Sequence, residues 1–252
     1  MASRERDFVG ALEKGLAVIE AFDPASPQLT LSEVARRTGL TRAAARRYLL
    51  TLAKLKYAEY DGKRFSLTPR VLRLGYAFLA TSPLPKLVQP VLETIGDKTQ
   101  EVASVATLDG TEILFLAHSR NRRIVSVASG VGSRFPAYCT AMGRVLLASR
   151  PDPEVERLLK AIKPKKLTSK TKTGFRELLQ EIRSAREHGY AVSDEELEIG
   201  LRSIAVPVAN SRGETILAIS VSLQAARMTP AQMVERLLPA LESGRQALSP
   251  ML

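Results

Sequence analysis

"LTLSEVARRTGLTRAAARRYLLTLAKLKYAEYDGKRFSLTP" spans residues 29–69 and holds two capped helices and a hairpin in one run. Thr30 and Glu33 stand three apart, the spacing at which a hydroxyl and a carboxylate cap each other's backbone amides. A helix is therefore expected from near Leu31, ending at Gly39. Thr41 then caps a second helix. Ala45, Leu49 and Leu52 form its buried stripe, and Arg42, Ala43, Arg46 and Arg47 lie mainly on the opposite face. Asp61-Gly62, set between runs rich in Tyr and Phe, signals a hairpin whose tip is followed by Lys63 and Arg64. The order predicts a winged helix-turn-helix. Upstream, Phe8, Leu12, Leu16, Ile19 and Phe22 mark a supporting helix, and "DPASPQ" (23–28) is its exit loop.

Charge is concentrated in the same region. Residues 36–73 carry eleven Lys or Arg against Glu59 and Asp61, so +9 of the chain's formal +11 lies there. Clustered cations suit a polyanion, because each one brought to a phosphate releases condensed counterions. Small alanines permit close approach to a major groove, and Arg42, Arg46 and Arg47 have the reach for base edges or phosphates. A three-helix packing unit with incidental arginines is the competing reading, but it leaves both caps and the basic wing as coincidences.

Working outward, 252 residues suffice for two domains with their own cores. No run approaches the roughly 18 apolar residues of a membrane span, and "MASRERDFVG" has charges where a signal peptide needs an apolar stretch. A cytoplasmic protein with no membrane partner is expected. One cysteine, Cys139, and two histidines, His118 and His188, argue against a disulfide framework and against a metal site.

"RVLRLGYAFLAT" (70–81) reads as a linker helix. Val71, Leu72, Leu74, Phe78 and Leu79 give it more apolar surface than its own domain would cover, which suits pairing between protomers. "SPLPK" (82–86) breaks the chain. The boundaries expected are 1–69 for the winged domain, 70–82 for the dimerisation helix and 83–252 for the larger domain. In the last, "QPVLETIGDKT", "CTAMGRVLLAS", "FRELLQEIRSAREHG" and "AQMVERLLPALESGRQAL" read as helices. "ASVATL", "TEILFLAH", "RIVSVAS", "RSIAVPVAN" and "ETILAISVSL" read as strands in hairpin order, which predicts an α+β domain with an antiparallel sheet flanked by helices. The lysine-rich "KPKKLTSKTKT" (163–173) is read as an exposed loop.

Four carboxylates, Asp194, Glu195, Glu196 and Glu198, crowd "GYAVSDEELEIGLRSIAVPV" (189–208). Acid–base catalysis needs carboxylates set apart around a substrate, and a calcium loop needs alternating ligands with a central glycine; neither pattern is present. There is no nucleophile elbow, phosphate loop or dinucleotide fingerprint, so no cofactor is expected. Glu195 and Glu196 are expected to pair with Arg or backbone amides.

Together with "FPAYCTAMGRVLLAS" (135–149) and the winged helix-turn-helix, this segment resembles the IclR family of bacterial transcriptional regulators over nearly the whole chain. "PAYCTAMGRVLLA" is most similar to the branch controlling catabolism of aromatic acids such as 4-hydroxybenzoate, protocatechuate and the β-ketoadipate pathway. The resemblance implies a GAF-like C-terminal domain that binds a small organic acid. Its pocket falls on Ala141, Met142, Ser193, Leu201, Ser203, Ser220 and Ser222. Family members that take small oxoacids tend to have Asp or Asn near position 193 and Cys at 203, where this chain has Ser. The implied partners are a pseudo-palindromic operator in double-stranded DNA, the acid effector, a second copy of the chain with pairing of dimers into tetramers, and RNA polymerase.

The residues ahead of the second motif add a physical expectation. Arg134 is suited to clamp a carboxylate by two parallel hydrogen bonds, Phe135 and Tyr138 to flank a ring, and Cys139 and Thr140 to open a helix whose free amides favour an anion. Pairing of Arg134 with Asp194 or Glu195, with Phe135 and Tyr138 in the core, is the alternative. For the whole chain, an enzyme with an appended DNA-binding domain and a ligand-independent DNA-binding protein remain the competing functions.

Overall fold

The computed structural model describes residues 7–23, 25–120 and 130–252, and of Leu79 the backbone. The segment "RIVSVAS" (123–129), read above as a strand, lies outside the described residues. The chain divides into two compact units, 1–82 and 83–252.

The first unit runs α1 (Gly10–Glu20), β1 (Gln28–Leu29), α2 (Leu31–Thr38), α3 (Arg42–Lys54), β2 (Ala58–Tyr60), β3 (Phe65–Leu67), a 3-10 turn (Pro69–Val71) and α4 (Leu72–Thr81). Thr30 and Glu33 form the capping box in full, and Gly39 ends α2 at φ +68°, a left-handed conformation that side chains with a Cβ resist. Val18, Val34, Ala45, Leu49, Leu52 and Phe65 meet in one core. Two expectations change here. Gln28, placed in the exit loop from sequence, belongs to β1, which pairs with β3 and makes the wing three-stranded. The apolar stripe of α1 is split: Ile19 and Phe22 pack on the core, while Phe8, Leu12 and Leu16 are exposed. A helix with two apolar faces can bury only one against its own small domain.

The second unit contains α5 (Leu84–Thr99), β4 (Val102–Asp109), β5 (Glu112–His118), β6 (Arg134–Pro136), a 3-10 turn (Ala137–Cys139), α6 (Ala141–Ala148), α7 (Asp152–Ala161), α8 (Phe175–His188), β7 (Ala191–Asp194), β8 (Leu201–Ala209), β9 (Thr215–Gln224) and α9 (Pro230–Leu248). The strands form a six-stranded antiparallel sheet in the order β6-β5-β4-β9-β8-β7. Alternation sends Ala103, Val105, Ile204, Val206, Ile219, Val221 and Leu223 to a core shared with α5 and α9. The other face carries Ala106, Ile113, Phe115, Ala191, Ala205 and Ala218 beneath α6 and α8. The small residues let α6, buried along its whole length, lie close to the sheet. Strands β6 and β7 and helix α7 carried no distinct sequence signal; the strands have three and four residues, too few for alternation to show.

Candidate functional site

The helix-turn-helix presents a surface built by its caps. Thr41 Oγ1 accepts the Ala44 amide at 3.2 Å and starts α3. Ala45, Leu49 and Leu52 then turn inward, leaving Thr41, Arg42, Ala43, Arg46 and Arg47 exposed. None of these three arginines enters an ion pair among the described residues. Arg37 differs: it binds Asp23 at 2.7 Å and the Ala21 carbonyl at 2.8 Å, bracing the loop after α1. At the wing tip Asp61 Oδ1 accepts the amides of Lys63 (2.8 Å) and Arg64 (2.7 Å), while Tyr60 stacks on Phe65 with centroids 4.4 Å apart. Hydrogen bonds from the Arg64 and Lys63 amides hold the Asp61 carboxyl below its ordinary range. The wing is fixed by local bonds, and Lys63 and Arg64 stay exposed.

The second site is a cavity between the sheet and the N-terminus of α6. It opens to solvent, and its wall includes Phe115, Phe135, Ala141, Met142, Leu197 and Leu201. Phe115 meets Phe135 edge to face at 5.7 Å. Among the described residues its polar side-chain lining is hydroxyl: Ser104, Thr140, Ser203 and Ser222. Register explains the gathering of serines. Ser203 lies opposite both Ser193 and Ser222, and Ser220 lies opposite Ser104, so all five project to the face under α6. Thr140 caps α6, its Oγ1 accepting the Gly143 amide at 3.2 Å, while the first-turn amides of Ala141 and Met142 have no acceptor within the helix. The helix can start this close to the preceding turn because residue 143 is Gly; a Cβ there would lie 2.2 Å from the Ala137 carbonyl oxygen.

Of the residues singled out from sequence, Phe135, Thr140, Ala141, Met142, Leu201, Ser203 and Ser222 line the cavity together. Arg134 does not. It sits on edge strand β6, with Asp109 at 2.6 Å and Glu112 at 2.9 Å, partners nearer than the Asp194 and Glu195 considered from sequence. Edge pairing of β6 with β5 brings Glu112 alongside it, a proximity that sequence distance hides. Tyr138 also lies outside the lining: it is buried, and its hydroxyl donates to the Lys165 carbonyl at 2.7 Å and accepts the Lys165 amide at 3.0 Å. Burial pushes the Cys139 thiol up to about 12, so it is neutral at physiological pH. Ser193 Oγ donates to the Cys139 carbonyl at 2.9 Å and ties β7 to the turn before α6. Ser220 is buried beside the lining. Val102, Ser104, Ile113 and Phe115 were missed; period-2 alternation along "VASVATL" and "EILF" offers them as one face, but only pairing says which face meets α6.

Three of the four acids, Asp194, Glu195 and Glu196, form a scaffold for the cavity rim, and Glu198 is exposed. Arg144, 1% exposed, binds Glu196 at 2.7 Å and the Val192 carbonyl at 3.1 Å, joining α6 to the loop that supplies Leu197. Asp194 pairs with Arg202 at 2.6 Å, and Glu195 accepts Lys170 at 2.5 Å and the Gly200 amide at 3.0 Å. The segment 163–173, read as a plain exposed loop, is corrected: besides Lys170, Thr168 donates to the Glu195 carbonyl and Thr171 to that of Glu196, each at 2.7 Å. It straps the acidic loop down.

Both units have counterparts among known proteins. Residues 76–249 match the profile described as the bacterial transcriptional regulator IclR C-terminal domain, and residues 11–62 match the IclR helix-turn-helix domain. The Pca regulon regulatory protein of Pseudomonas putida is 44% identical over 93% of this chain and 81% of its own length. The p-hydroxybenzoate hydroxylase transcriptional activator of Acinetobacter baylyi is 37% identical over 95% of this chain and 90% of its own. Among solved structures, a double mutant of the PobR inducer-binding domain from Acinetobacter, complexed with 3-hydroxybenzoic acid, superposes with a TM-score of 0.64 at 30% identity. It covers 68% of this chain and 100% of that one.

Proposed function

The chain belongs to the IclR family of bacterial transcriptional regulators, and from that premise we propose that its C-terminal cavity binds a small aromatic acid whose occupancy modulates control of a catabolic operon. The observation that carries the reading is the pairing, in one cavity, of uncommitted helix-start amides at Ala141 and Met142 with the hydroxyls of Ser203 and Ser222 and a wall formed by Phe115 and Phe135. Aligned amides and the helix dipole favour a carboxylate, hydroxyls complete its hydrogen bonds, and the aromatic wall takes a flat ring. Among the described residues no charged side chain lines the cavity, so the attraction argued here comes from the backbone. Binding rather than turnover fits a lining of hydrocarbons and hydroxyls beside a neutral thiol.

DNA recognition is assigned to Thr41, Arg42, Ala43, Arg46, Arg47, Lys63 and Arg64. The protein acts as a cytoplasmic homodimer on two half-sites, paired through α4, whose Leu72, Tyr76 and Phe78 are exposed. No helix among the described residues is long and apolar enough to cross a membrane. The test is calorimetry and thermal shift on the full chain with benzoate-type, protocatechuate-type and β-ketoadipate-type acids, coupled to a DNA-shift assay that counts chains per operator. Binding must raise apparent stability and change the shift, with two chains per operator. Absence of heat and of stabilisation with every acid refutes the effector reading.

A further inference from the structure

Helix α3 gives way to the wing through a residue in a conformation it does not favour. Lys56 stands at φ +63°, in the left-handed region where glycine is the unstrained choice. Two bonds hold it there: its amide donates to the Ala53 carbonyl at 3.0 Å, and the Thr68 hydroxyl donates to the Lys56 carbonyl at 2.6 Å. A lysine retained at such a position is better explained by what its side chain meets than by the fold. Lys56 lines an open groove together with Arg70 and Arg73, from the start of the linker. All three are exposed and outside the ion pairs among the described residues, and Arg70 lies over the Tyr57 ring at 5.4 Å.

The groove follows a bare strand edge. The wing has the order β1-β3-β2, so β2 has a neighbour on one side only among the described residues. Ala58, Glu59 and Tyr60 all line the groove, and because consecutive side chains of a strand point to opposite faces, a surface touched by all three runs along its edge. Register identifies the outward groups. The Thr68 amide donates to the Tyr57 carbonyl at 2.9 Å and the Asp61 amide to the Arg64 carbonyl at 3.1 Å, so Tyr57, Glu59 and Asp61 turn towards β3. By alternation, Ala58 and Tyr60 turn their amides and carbonyls outward, a template for another extended chain.

Charge selects the occupant. Lys56 precedes β2 and Arg70 follows Thr68, which lies against Tyr57, so the cations gather at the Ala58 end of the edge. Two copies of β2 paired about a two-fold axis would set Ala58 against Tyr60 and therefore Glu59 against Glu59, like charges directly across. A nucleic-acid backbone would bring phosphate oxygens against the outward carbonyls and the Glu59 carboxylate, and Ala53 sets the groove about 16 Å along α3 from Arg42. We propose that the outer edge of β2 docks an extended segment of a partner protein as a further strand of the wing, with carboxylates at one end of that segment taken by Lys56, Arg70 and Arg73. The surface is separate from the C-terminal cavity and stands independently of the effector reading.

The experiment uses the full chain, with the capped peptides Glu-Glu-Val-Thr-Val and Val-Thr-Val-Glu-Glu as probes and glutamine versions of each as controls, followed by NMR titration and hydrogen exchange. Exchange at the Ala58 and Tyr60 amides should slow about tenfold at saturation with one of the probes, as new strand bonds form. That probe should bind about tenfold more tightly than its glutamine control, the size expected of several exposed ion pairs acting together. Lys56→Gly should weaken it while leaving unfolding stability unchanged or raised, a split that a merely structural lysine would not produce. Arg70→Gln with Arg73→Gln should abolish the preference for glutamate over glutamine. Equal affinities for probe and control, or unaltered exchange at Ala58 and Tyr60 with both probes, overturns the docking edge. So does protection of those two amides in the chain alone, which would mean that a second copy covers them. Loss of operator affinity in the Arg70 and Arg73 double variant as large as in Arg46→Ala, with no peptide bound by the wild type, would give the groove to DNA instead.

Discussion

The arginines of α3 and four arginines of the C-terminal unit have opposite fates. Arg42, Arg46 and Arg47 are exposed and outside the ion pairs among the described residues, whereas Arg134, Arg144, Arg186 and Arg202 are each bound to carboxylates at 2.6 to 3.2 Å. Arg202 adds the carbonyls of Ala225 and Met228. The difference separates two uses of one side chain. A guanidinium whose charge is spent on a neighbouring carboxylate organises its own domain, and one left to solvent keeps its charge for a polyanion. It also fits a cavity whose described lining holds no cation: Arg134, Arg144 and Arg202 are committed to the scaffold, and the reading proposed above leaves the attraction to helix amides.

The sharpest way to break the comparison is at Arg144. Arg144→Ala leaves Glu196 buried beside an empty cation site, and a loss of about 3–5 kcal/mol is expected in denaturant unfolding of the C-terminal unit. Replacing both partners, Arg144→Met with Glu196→Leu, should recover much of that loss, because no uncompensated charge remains. Full stability in the single variant would show that the buried pair does not hold the rim. At the other pole, Arg46→Ala should leave unfolding unchanged and weaken operator binding by about 1–3 kcal/mol if Arg46 reads a base. If it holds a phosphate instead, affinity falls evenly across sequences and the salt slope drops by about one. Unchanged operator affinity in alanine variants of Arg42, Arg46 and Arg47 removes this face from DNA recognition.

The smallest effect lies where the two fates meet, at the half-exposed Lys170. Burial alone would raise the Asp194 carboxyl, but hydrogen bonds from Arg202 and Lys170 outweigh it and hold it below its ordinary range. The Lys170 bond, with the Gly200 amide, does the same for Glu195. A depressed carboxylate stabilises the fold above its unfolded value, about 4, and that stabilisation is lost as pH falls through the folded value. Lys170 itself is raised, chiefly by Glu195, so its contribution is lost only at strongly alkaline pH. The difference in urea midpoint between wild type and Lys170→Met should therefore be steady near neutrality and shrink below about pH 4. A difference independent of pH over that range would mean that Lys170 acts through packing and not through charge.

The N-terminal unit was largely legible because its signals are local. Thr30 with Glu33, Thr41, and Asp61-Gly62 each act within four residues of chain, and the i, i+4, i+7 stripe of α3 is a property of one helix. The apolar stripe of α1 was legible as helix but not as to which face would be covered. In the C-terminal unit the elements and the hairpin order could be read, and a resemblance carried by two motifs pointed to five of the twelve described cavity residues, Ala141, Met142, Leu201, Ser203 and Ser222. The far side of the cavity could not be read in the same way.

Sequence alone determined where the helices begin, that the basic residues gather on one reading helix and its wing, and that the larger domain is an antiparallel sheet with helices. Local hydrogen bonds and side-chain periodicity fix those features wherever the rest of the chain goes. Tertiary structure decided which residues share the cavity and which cations are spent. Val102 and Ser222 both line the cavity, 120 residues apart in the chain, and meet only through strand register, and Arg144 finds Glu196 only once α6 lies against the sheet. A register shift of one residue would turn every serine of the cavity to the opposite face. Pairing between distant strands, and the packing that selects it, is the physical step that composition and periodicity do not contain.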